Sequence, residues 1–377
     1  MAMNTEEAKQ LLRSAMSKPP SAIPVIRTSP LYLYGAGAFG RQTFRALAKQ
    51  GIVVTAFLDR NAKPDQYLYD VPVYRPDAPE VTAHGQAEAV IILSIVMTYE
   101  TRLPLIQKLQ SLGFKQIIDG QLLRAHEVPY NHNMHDVSWT DSVLTDAVYS
   151  AITLFCDEAS VEVYARNVCA HILRDYSNCA ESINCSQYFP HDVPLNKGYV
   201  RFVDCGAYVG DTAMRLTETV GKIEAYVGFE PDANNFQRLA RTVKELKEKL
   251  SPAFLYPCAV GGANDVVNFA PAEGSGTITN EGQAHVQVVR LDETLVNFQP
   301  SFIKMDIEGM ELSALQGAEN IIRDYAPDLA VCVYHNISDY FEIPLLLSRM
   351  NPHYRFYLRA HSSCTMETVL YATEGRH

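Results

Sequence analysis

Residues 199–212 read Tyr-Val-Arg-Phe-Val-Asp-Cys-Gly-Ala-Tyr-Val-Gly-Asp-Thr, and this stretch decides the fold. Its apolar beginning, Tyr199–Val203, predicts a β-strand, and the pattern after the last glycine predicts an amphipathic helix. Glycines in such a strand-to-helix turn let the backbone approach a ligand, and the first turn of the helix presents free amide groups. The stretch therefore predicts a ligand-binding loop at the carboxyl end of a strand.

An acidic residue follows the next strand at an informative distance. Residues Ala225–Phe229 predict that strand, and Glu230 comes directly after it, 20 residues beyond Gly210. A carboxylate at the tip of the second strand accepts both ribose hydroxyls of a nucleoside that is bound where the strand order of the sheet reverses. The loop and Glu230 together predict a nucleoside site. The alternative is a tight structural turn with an ion-paired Glu230.

Ionisable side chains also mark the strand and turn predicted over residues 301–308. With a period of two, Lys304, Asp306 and Glu308 share one face, although a central parallel strand is usually apolar on both faces. Unpaired charges are costly to bury, so these groups either pair or lie at the carboxyl end of the strand, where such sheets bind ligands. We expect them in an active site. The alternative is a structural Lys304–Glu pair, with Asp306 capping the next helix.

Two histidines follow predicted strands further along the chain. His335 comes after the strand predicted over residues 328–334, and His361 lies between residues 354–360 and 368–372, which predict an antiparallel hairpin. Either imidazole could reach a cleft and act as an acid or a base. A purely structural role is the alternative for each of them.

A separate α/β pattern lies nearer the N-terminus. Gly35, Gly37 and Gly40 form a GxGxxG motif between a predicted strand and a predicted helix, and Asp59 lies 19 residues after Gly40. This context matches the fingerprint of dinucleotide-binding folds. It predicts a small parallel-sheet domain that either binds a nucleotide or retains only the structure of such a site.

The C-terminal motifs resemble those of the FkbM family of S-adenosylmethionine-dependent methyltransferases. The segment Lys-x-Asp-x-Glu-Gly-x-Glu at residues 304–311 is the most specific of them. The resemblance implies an α/β fold in which a class I methyltransferase sheet, Rossmann-like and closed by a terminal antiparallel hairpin, follows a smaller Rossmann-like domain and a helical linker. The matching stretches are Val203–Thr212, Gly228–Asp232, Val289–Glu293, Phe302–Glu311, Val333–Asn336 with Asp339, and Glu367–Ala372.

The 377 residues are too many for one ordinary domain and fit two, with additional linking segments. The patterns and the resemblance divide the chain into an N-terminal helix and linker (1–29), a small Rossmann-like domain (30–125), a helical connecting region (126–197) and an FkbM-type methyltransferase domain (198–377).

The resemblance also implies the residues that bind the cofactor, S-adenosylmethionine. Glu230 would bind its ribose. Ala259 stands in the segment where family members often carry an asparagine beside the adenine, which is a departure from the family pattern. The methionine end would be lined by Asp204, Gly206, Ala207 and Gly210.

The expected reaction is O-methylation of a hydroxyl on a sugar, a nucleotide sugar or another small metabolite. A protonated alcohol is a poor nucleophile, so a base within hydrogen-bond reach is needed. Placement at strand ends makes Asp306 the first candidate for this base, followed by His335 and then Glu308.

Composition and charge exclude other classes of function. The net charge of −11 is unlike that of a nucleic-acid-binding protein, and no apolar stretch approaches the ~20 residues of a membrane span. Eight cysteines without a CxxC pair fit a reducing compartment, so we expect a cytoplasmic protein. From the charge, the hydropathy and the resemblance together, we expect it to act on a small molecule and to bind neither nucleic acid nor membrane. His132 and His135 are interpreted as part of a polar loop, and no metal site is predicted.

Two other functions remain as alternatives. The N-terminal GxGxxG motif is compatible with an NAD(P)-linked oxidoreductase, although no hydride-transfer partner is evident outside the second domain. The same domain is also compatible with a module that binds a nucleotide sugar. The sequence does not determine the oligomeric state or the acceptor.

Overall fold

The computed structural model of the chain covers both α/β regions. The predicted polar loop with His132 and His135 lies outside the described residues. The described residues are 3–19, 30–49, 51–82, 87–95, 99–120, 141–173, 179–183, 186–270, 277–278, 284–362 and 365–375.

The helices of the described residues lie before, between and after the strands. None of them is both long enough and apolar enough to cross a membrane. Their bounds are α1 Thr5–Met16, α2 Ala38–Lys49, α3 Pro79–Thr82, α4 Tyr99–Ser111, α5 Ser142–Ala151, α6 Glu158–Leu173, α7 Asp211–Thr219, α8 Ala233–Glu245, α9 Leu291–Thr294, α10 Glu311–Gln316, α11 Glu319–Tyr325 and α12 Asp339–Met350, with a 3-10 turn at Ile152–Leu154.

The N-terminal α/β region contains one sheet. Its strands are β1 Leu31–Tyr34, β2 Ala56–Leu58, β3 Tyr67–Leu68, β4 Val71–Tyr74, β5 Val90–Leu93 and β6 Gln116–Asp119. The order is β3-β4-β2-β1-β5-β6, and every pair is parallel except β3 with β4. The five parallel strands therefore follow the third-second-first-fourth-fifth order of a dinucleotide-binding fold.

The C-terminal region contains a seven-stranded sheet and a smaller one. Its strands are β7 Arg201–Cys205, β8 Ala225–Phe229, β9 Ala253–Tyr256, β10 Ala259–Val260, β11 Asp265–Ala270, β12 Thr277–Ile278, β13 Ala284–Val289, β14 Phe302–Met305, β15 Asp328–Cys332, β16 Tyr354–Ala360 and β17 Thr368–Glu374. The large sheet has the order β16-β17-β15-β14-β7-β8-β9, and the small one has the order β10-β13-β11-β12.

The large sheet confirms the predicted fold class. Within the large sheet, β17 runs in the direction opposite to the other six strands, so a parallel sheet is closed by a terminal antiparallel hairpin. Strand order reverses between β7 and β14, and α/β sheets bind ligands at such a reversal. The strand predicted over Tyr199–Val203 begins and ends two residues later than expected, as β7.

The first helix packs with the C-terminal sheet. Asn4 caps α1 together with Glu7 in a reciprocal capping box, which stabilises the start of the helix. Its buried face, with Leu12 at the centre, belongs to the same hydrophobic cluster as α6 and the central strands β7 and β14. The Tyr149 hydroxyl lies 3.7 Å from the Met16 sulfur and joins α1 to α5.

A buried carboxylate fixes the entry of the chain into β7. Asp328, at the start of β15, is fully buried. It accepts hydrogen bonds from the backbone amides of Lys197 (2.8 Å) and Gly198 (2.7 Å) and from the Thr373 hydroxyl (2.7 Å). One side chain thus satisfies donors from the segment before β7 and from β17.

We expect Asp328→Ala to lower the free energy of unfolding by about 3 kcal/mol, because it leaves buried amide donors without an acceptor. Asp328→Asn should cost less, since its carbonyl oxygen still accepts. Urea denaturation measures both, with the exposed Asp324→Ala as the control. A loss for Asp328→Ala no larger than that of the control would contradict this assignment.

Candidate active site

The glycine loop after β7 packs directly against the loop after β14. Gly206 has φ +80° and Gly210 has φ +88°, a conformation that favours glycine at both positions. A Cβ at Gly206 would overlap the backbone carbonyl oxygen of Asp306. The predicted cofactor loop and the first candidate base therefore lie side by side at the point where the strand order reverses.

Glu230 lies against the glycine loop at the tip of β8. Its Oε2 accepts the backbone N–H of Tyr208 (2.9 Å), and its Oε1 accepts that of Asp232 (2.9 Å). The residue is 6% exposed. Burial raises the pKa of Glu230 to about 7, and the hydrogen bonds from the two amides offset only part of that rise. The structure thus brings together the loop and the carboxylate that sequence spacing had linked.

Lys304 forms a structural ion pair, but its partner is Asp204 rather than a glutamate. The Lys304 Nζ lies 3.1 Å from Asp204 Oδ1 and donates to the carbonyl oxygen of Gly206 (2.6 Å). The Tyr226 hydroxyl donates to Asp204 Oδ2 (2.9 Å). Burial alone would lower the pKa of Lys304, but the charges of Asp204 and Asp306 raise it, so the ammonium stays charged.

This pair gives Asp204 a contact that the sequence did not predict. Its carboxylate is fully buried and pairs with Lys304, whose ammonium donates to the Gly206 carbonyl oxygen. That Asp204 lines the methionine end of a cofactor stays a prediction. Ala207 is also fully buried, and Ala259 lies in β10, where it pairs with Val288 of β13.

The predicted catalytic residues meet around the imidazole of His335. Its Nε2 lies 3.5 Å from Asp306 Oδ1 and 3.7 Å from Glu308 Oε2, and its Nδ1 lies 2.9 Å from Glu311 Oε1. Burial lowers the pKa of His335, but these carboxylates, Glu311 foremost, outweigh it and raise the pKa to about 10. The structure therefore brings Asp306, Glu308 and His335 into one cluster.

Asp306 is held by neighbours that the sequence did not suggest. Its Oδ2 accepts the Tyr188 hydroxyl (2.7 Å), and its Oδ1 accepts the Tyr334 hydroxyl (3.3 Å). Burial would raise the pKa of Asp306, but the charges of Lys304 and His335 and the Tyr188 hydrogen bond lower it overall. Tyr188 lies in a segment without a motif, so no sequence signal pointed to it.

Two further residues complete the surroundings. Glu367 accepts a hydrogen bond from the Gln187 side chain, and burial, together with the charge of Asp306, raises its pKa to about 7. His361 does not join the cluster: its Nε2 lies 2.8 Å from the Tyr371 hydroxyl in the terminal hairpin. Of the two histidines that follow strands, only His335 is therefore beside the candidate base.

The N-terminal GxGxxG motif has the geometry of a nucleotide-binding turn. Gly35 has φ +114°, a Cβ at Gly40 would overlap the Gly35 carbonyl oxygen, and Gly37 faces open space. In dinucleotide-binding folds the first glycine permits the tight turn, the second lets the backbone approach the ligand, and the third permits close packing of the helix on the strand. Asp59, after β2, accepts the backbone N–H of Asn61 (2.8 Å). Whether this turn binds a nucleotide stays a prediction.

Comparisons with known proteins agree with this fold. Residues 204–362 match the family model described as the methyltransferase FkbM domain. The crystal structure of methyltransferase FkbM from Methylobacillus flagellatus KT is similar to the chain with a TM-score of 0.71 and 21% identity, covering 98% of this chain and 100% of that one. At that identity the likeness shows the fold.

Other solved structures are less similar. Fibrillarin from Aeropyrum pernix has a TM-score of 0.31 and 11% identity, covering 48% of this chain and 70% of that chain. Methyltransferase PaMTH1 from Podospora anserina has a TM-score of 0.30 and 11% identity, covering 75% of this chain and 99% of that chain. No curated protein sequence matches the chain.

We expect Gly206→Ala to lower the free energy of unfolding by about 3 kcal/mol, since it adds a backbone clash to the cost of positive φ. Gly221 is a matched control, because its φ is +78° and nothing lies within 4 Å of a Cβ built there. Gly221→Ala should cost only about 1 kcal/mol. If urea denaturation gave equal losses of unfolding free energy for the two variants, the glycine loop after β7 and the loop after β14 would not constrain each other.

Proposed function

We propose that this chain, whose residues 204–362 match the family model of the methyltransferase FkbM domain, transfers the methyl group of S-adenosylmethionine to a hydroxyl of a sugar or another small metabolite. One observation carries the proposal. The glycine loop beside Glu230 is in backbone contact with Asp306, so a nucleoside-binding surface adjoins a partly exposed carboxylate. Methyl transfer needs that adjacency, because donor and acceptor must meet in line.

The residues beside the loop fit S-adenosylmethionine. Glu230 offers carboxylate oxygens at the strand tip for the ribose hydroxyls, and the amides of the first turn of α7 suit the carboxylate of the methionine moiety. Gly206 and Gly210 keep the loop free of side chains on this path. When bound, this cofactor supplies a methyl group that its positively charged sulfur has already activated.

Differences in exposure refine the order of the candidate bases. The side chains of Asp306 and Glu308 are 24% and 29% exposed, whereas that of His335 is 4% exposed. An acceptor hydroxyl can therefore approach either carboxylate but not the imidazole. Asp306, oriented by the Tyr188 hydroxyl, remains the first candidate to accept the proton, with Glu308 second. His335 then positions these carboxylates.

The comparisons do not support an NAD(P)-linked oxidoreductase, because the matched family is one of methyltransferases. The geometry of Gly35, Gly37 and Gly40 leaves a nucleotide-binding role for the N-terminal domain as a separate question. Such a role would be compatible with methyl transfer, for example through binding of a nucleotide-sugar acceptor.

S-adenosylhomocysteine should bind the chain, and its affinity should follow the ionisation of Glu230. With a pKa of about 7, this carboxyl group is mostly ionised at pH 8 and mostly protonated at pH 6. The protonated form is the poorer acceptor for ribose hydroxyls, so the dissociation constant should rise about tenfold between pH 8 and pH 6. Isothermal titration calorimetry at both pH values measures this.

Glu230→Gln is the matched variant for that titration. It should bind more weakly at pH 8 and lose the pH dependence, because its amide does not ionise in this range. A parallel titration with NAD+ serves as the comparison ligand. Binding of NAD+ with no binding of S-adenosylhomocysteine would contradict the proposed function.

Asp306→Asn should reduce methyl transfer by about 10²–10⁴-fold in kcat while leaving the affinity for S-adenosylhomocysteine within about twofold. The assay uses labelled methyl donor with a panel of sugars, nucleotide sugars and other alcohols, read by mass spectrometry. Asp324→Asn, on the exposed side of α11, is the control for the change of charge. Full turnover by Asp306→Asn with an identified acceptor would eliminate Asp306 as the base.

A further inference from the structure

We propose that the cluster beside the glycine loop binds a divalent metal cation through Asp306, Glu311 and His335. Each of these residues offers one nitrogen or oxygen atom, and the three atoms all lie within 4.8 Å of one another. Asp306 follows β14, Glu311 begins α10 and His335 follows β15, so the three ligands come from neighbouring strand ends of the large sheet. The site includes Asp306, the first candidate base, but not Glu230.

Two buried atoms of the cluster have no hydrogen-bond partner. They are Oε2 of Glu311 and Nδ1 of His335. The Glu311 side chain is fully buried, and His335 retains only a small exposed fraction. A buried polar atom without a partner is costly, and native structures rarely keep one without a ligand, an ion or a water. A cation between these side chains would satisfy both atoms.

The imidazole and the Glu311 carboxylate lie close enough together to share a cation. Nδ1 of His335 lies 2.9 Å from Oε1 of Glu311, in an ion-pair contact that lacks the geometry of a hydrogen bond. Two ligands at right angles, each ~2.1 Å from one metal ion, lie about 3 Å apart. The Asp306 carboxylate lies within a short side-chain movement of the same point, since its ligand atom is within 4.8 Å of the others.

The local chain geometry orients the ligands. Glu308 and Gly309 have φ +55° and +95°, and this tight turn brings Glu311 back toward Asp306. The backbone N–H of Ile307 donates to Oε1 of Glu311 (2.8 Å) and orients the carboxylate toward the imidazole. This explains the spacing Asp-x-Glu-Gly-x-Glu as a ligand arrangement rather than as a helix cap.

The charges of the cluster favour a cation. Asp306, Glu308 and Glu311 surround a single imidazole, and the nearest ammonium, Lys304, is already in contact with Asp204 at 3.1 Å. Carboxylates gathered in a buried site repel one another unless positive charge compensates them. Two carboxylates and one imidazole, without a thiolate, are a ligand set for Mn²⁺ or Zn²⁺ rather than for Cu(I).

The role of the cation in orienting an acceptor rests on the proposed function, whereas the binding of the cation does not. Three protein ligands leave coordination positions open, and the partly exposed Asp306 makes those positions accessible from solvent. An acceptor with two neighbouring oxygen atoms, such as a vicinal diol, is the chemical class that would fill them. Such an acceptor would be oriented with one hydroxyl toward the methyl donor.

The test is Mn²⁺ binding to the chelator-treated, tag-free full chain, followed by electron paramagnetic resonance. We expect one Mn²⁺ per chain, with spin-echo modulation from a directly coordinated imidazole nitrogen. His335→Gln should abolish that modulation, and Glu311→Gln should raise the dissociation constant at least tenfold. Glu319→Gln, which alters a partly exposed glutamate on α11 that pairs with Arg323, is the control for charge and should bind Mn²⁺ like the unaltered chain.

Absence of stoichiometric Mn²⁺, or of nitrogen modulation in the unaltered chain, would overturn the metal site. Because that signal needs no variant, a substitution that prevents folding does not affect the decision. Titration with S-adenosylhomocysteine separates this failure from that of the proposed function. If S-adenosylhomocysteine binds and Mn²⁺ does not, the metal site fails alone, and the converse result rejects the cofactor assignment while keeping the site.

Discussion

The buried ion pair between Lys304 and Asp204 is the interaction on which the arrangement of the site depends. The two residues are register partners on β14 and β7, the central strands between which the sheet order reverses. An ion pair at this depth is unfavourable unless its remaining hydrogen-bonding groups are satisfied, and Tyr226 and the Gly206 carbonyl do so. The same ammonium therefore locks two strands in register and fixes the glycine loop. It also contributes positive charge near Asp306, two residues further along.

Much of the large sheet could be predicted because buried parallel strands read as apolar runs that end at glycines or charged residues. That rule also explains the error in β7: the prediction stopped at Val203, before a charged residue, whereas the strand continues to Cys205. The charge is tolerated because Lys304, a hundred residues away in sequence, neutralises it. The small sheet was missed for another reason. Its strands are short or half-exposed, as at Val266, and their pairing depends on contacts distant in sequence.

The candidate site was predictable where its residues follow strands and not where they come from irregular segments. Asp306, Glu308 and His335 were expected at strand ends, and parallel strands bring such ends together. Tyr188, which holds Asp306, comes from a segment without a regular element, and its φ of +68° has no sequence signature. Glu311 lay within a recognised motif but had no assigned role, because its approach to His335 depends on the turn at Glu308 and Gly309.

Helix α1 packs with the C-terminal sheet, although it precedes the N-terminal sheet in the sequence. Leu12 and its neighbours are buried with β7 and β14, although the whole N-terminal sheet lies between them along the chain. The hydrophobic core beneath the large sheet is thus built from segments on both sides of the N-terminal α/β region in sequence. A fragment that starts at residue 198 would lose α1, α5 and α6 and expose the apolar surface that they cover. To remove the N-terminal α/β region and keep these helices, residue 19 has to be joined to residue 141.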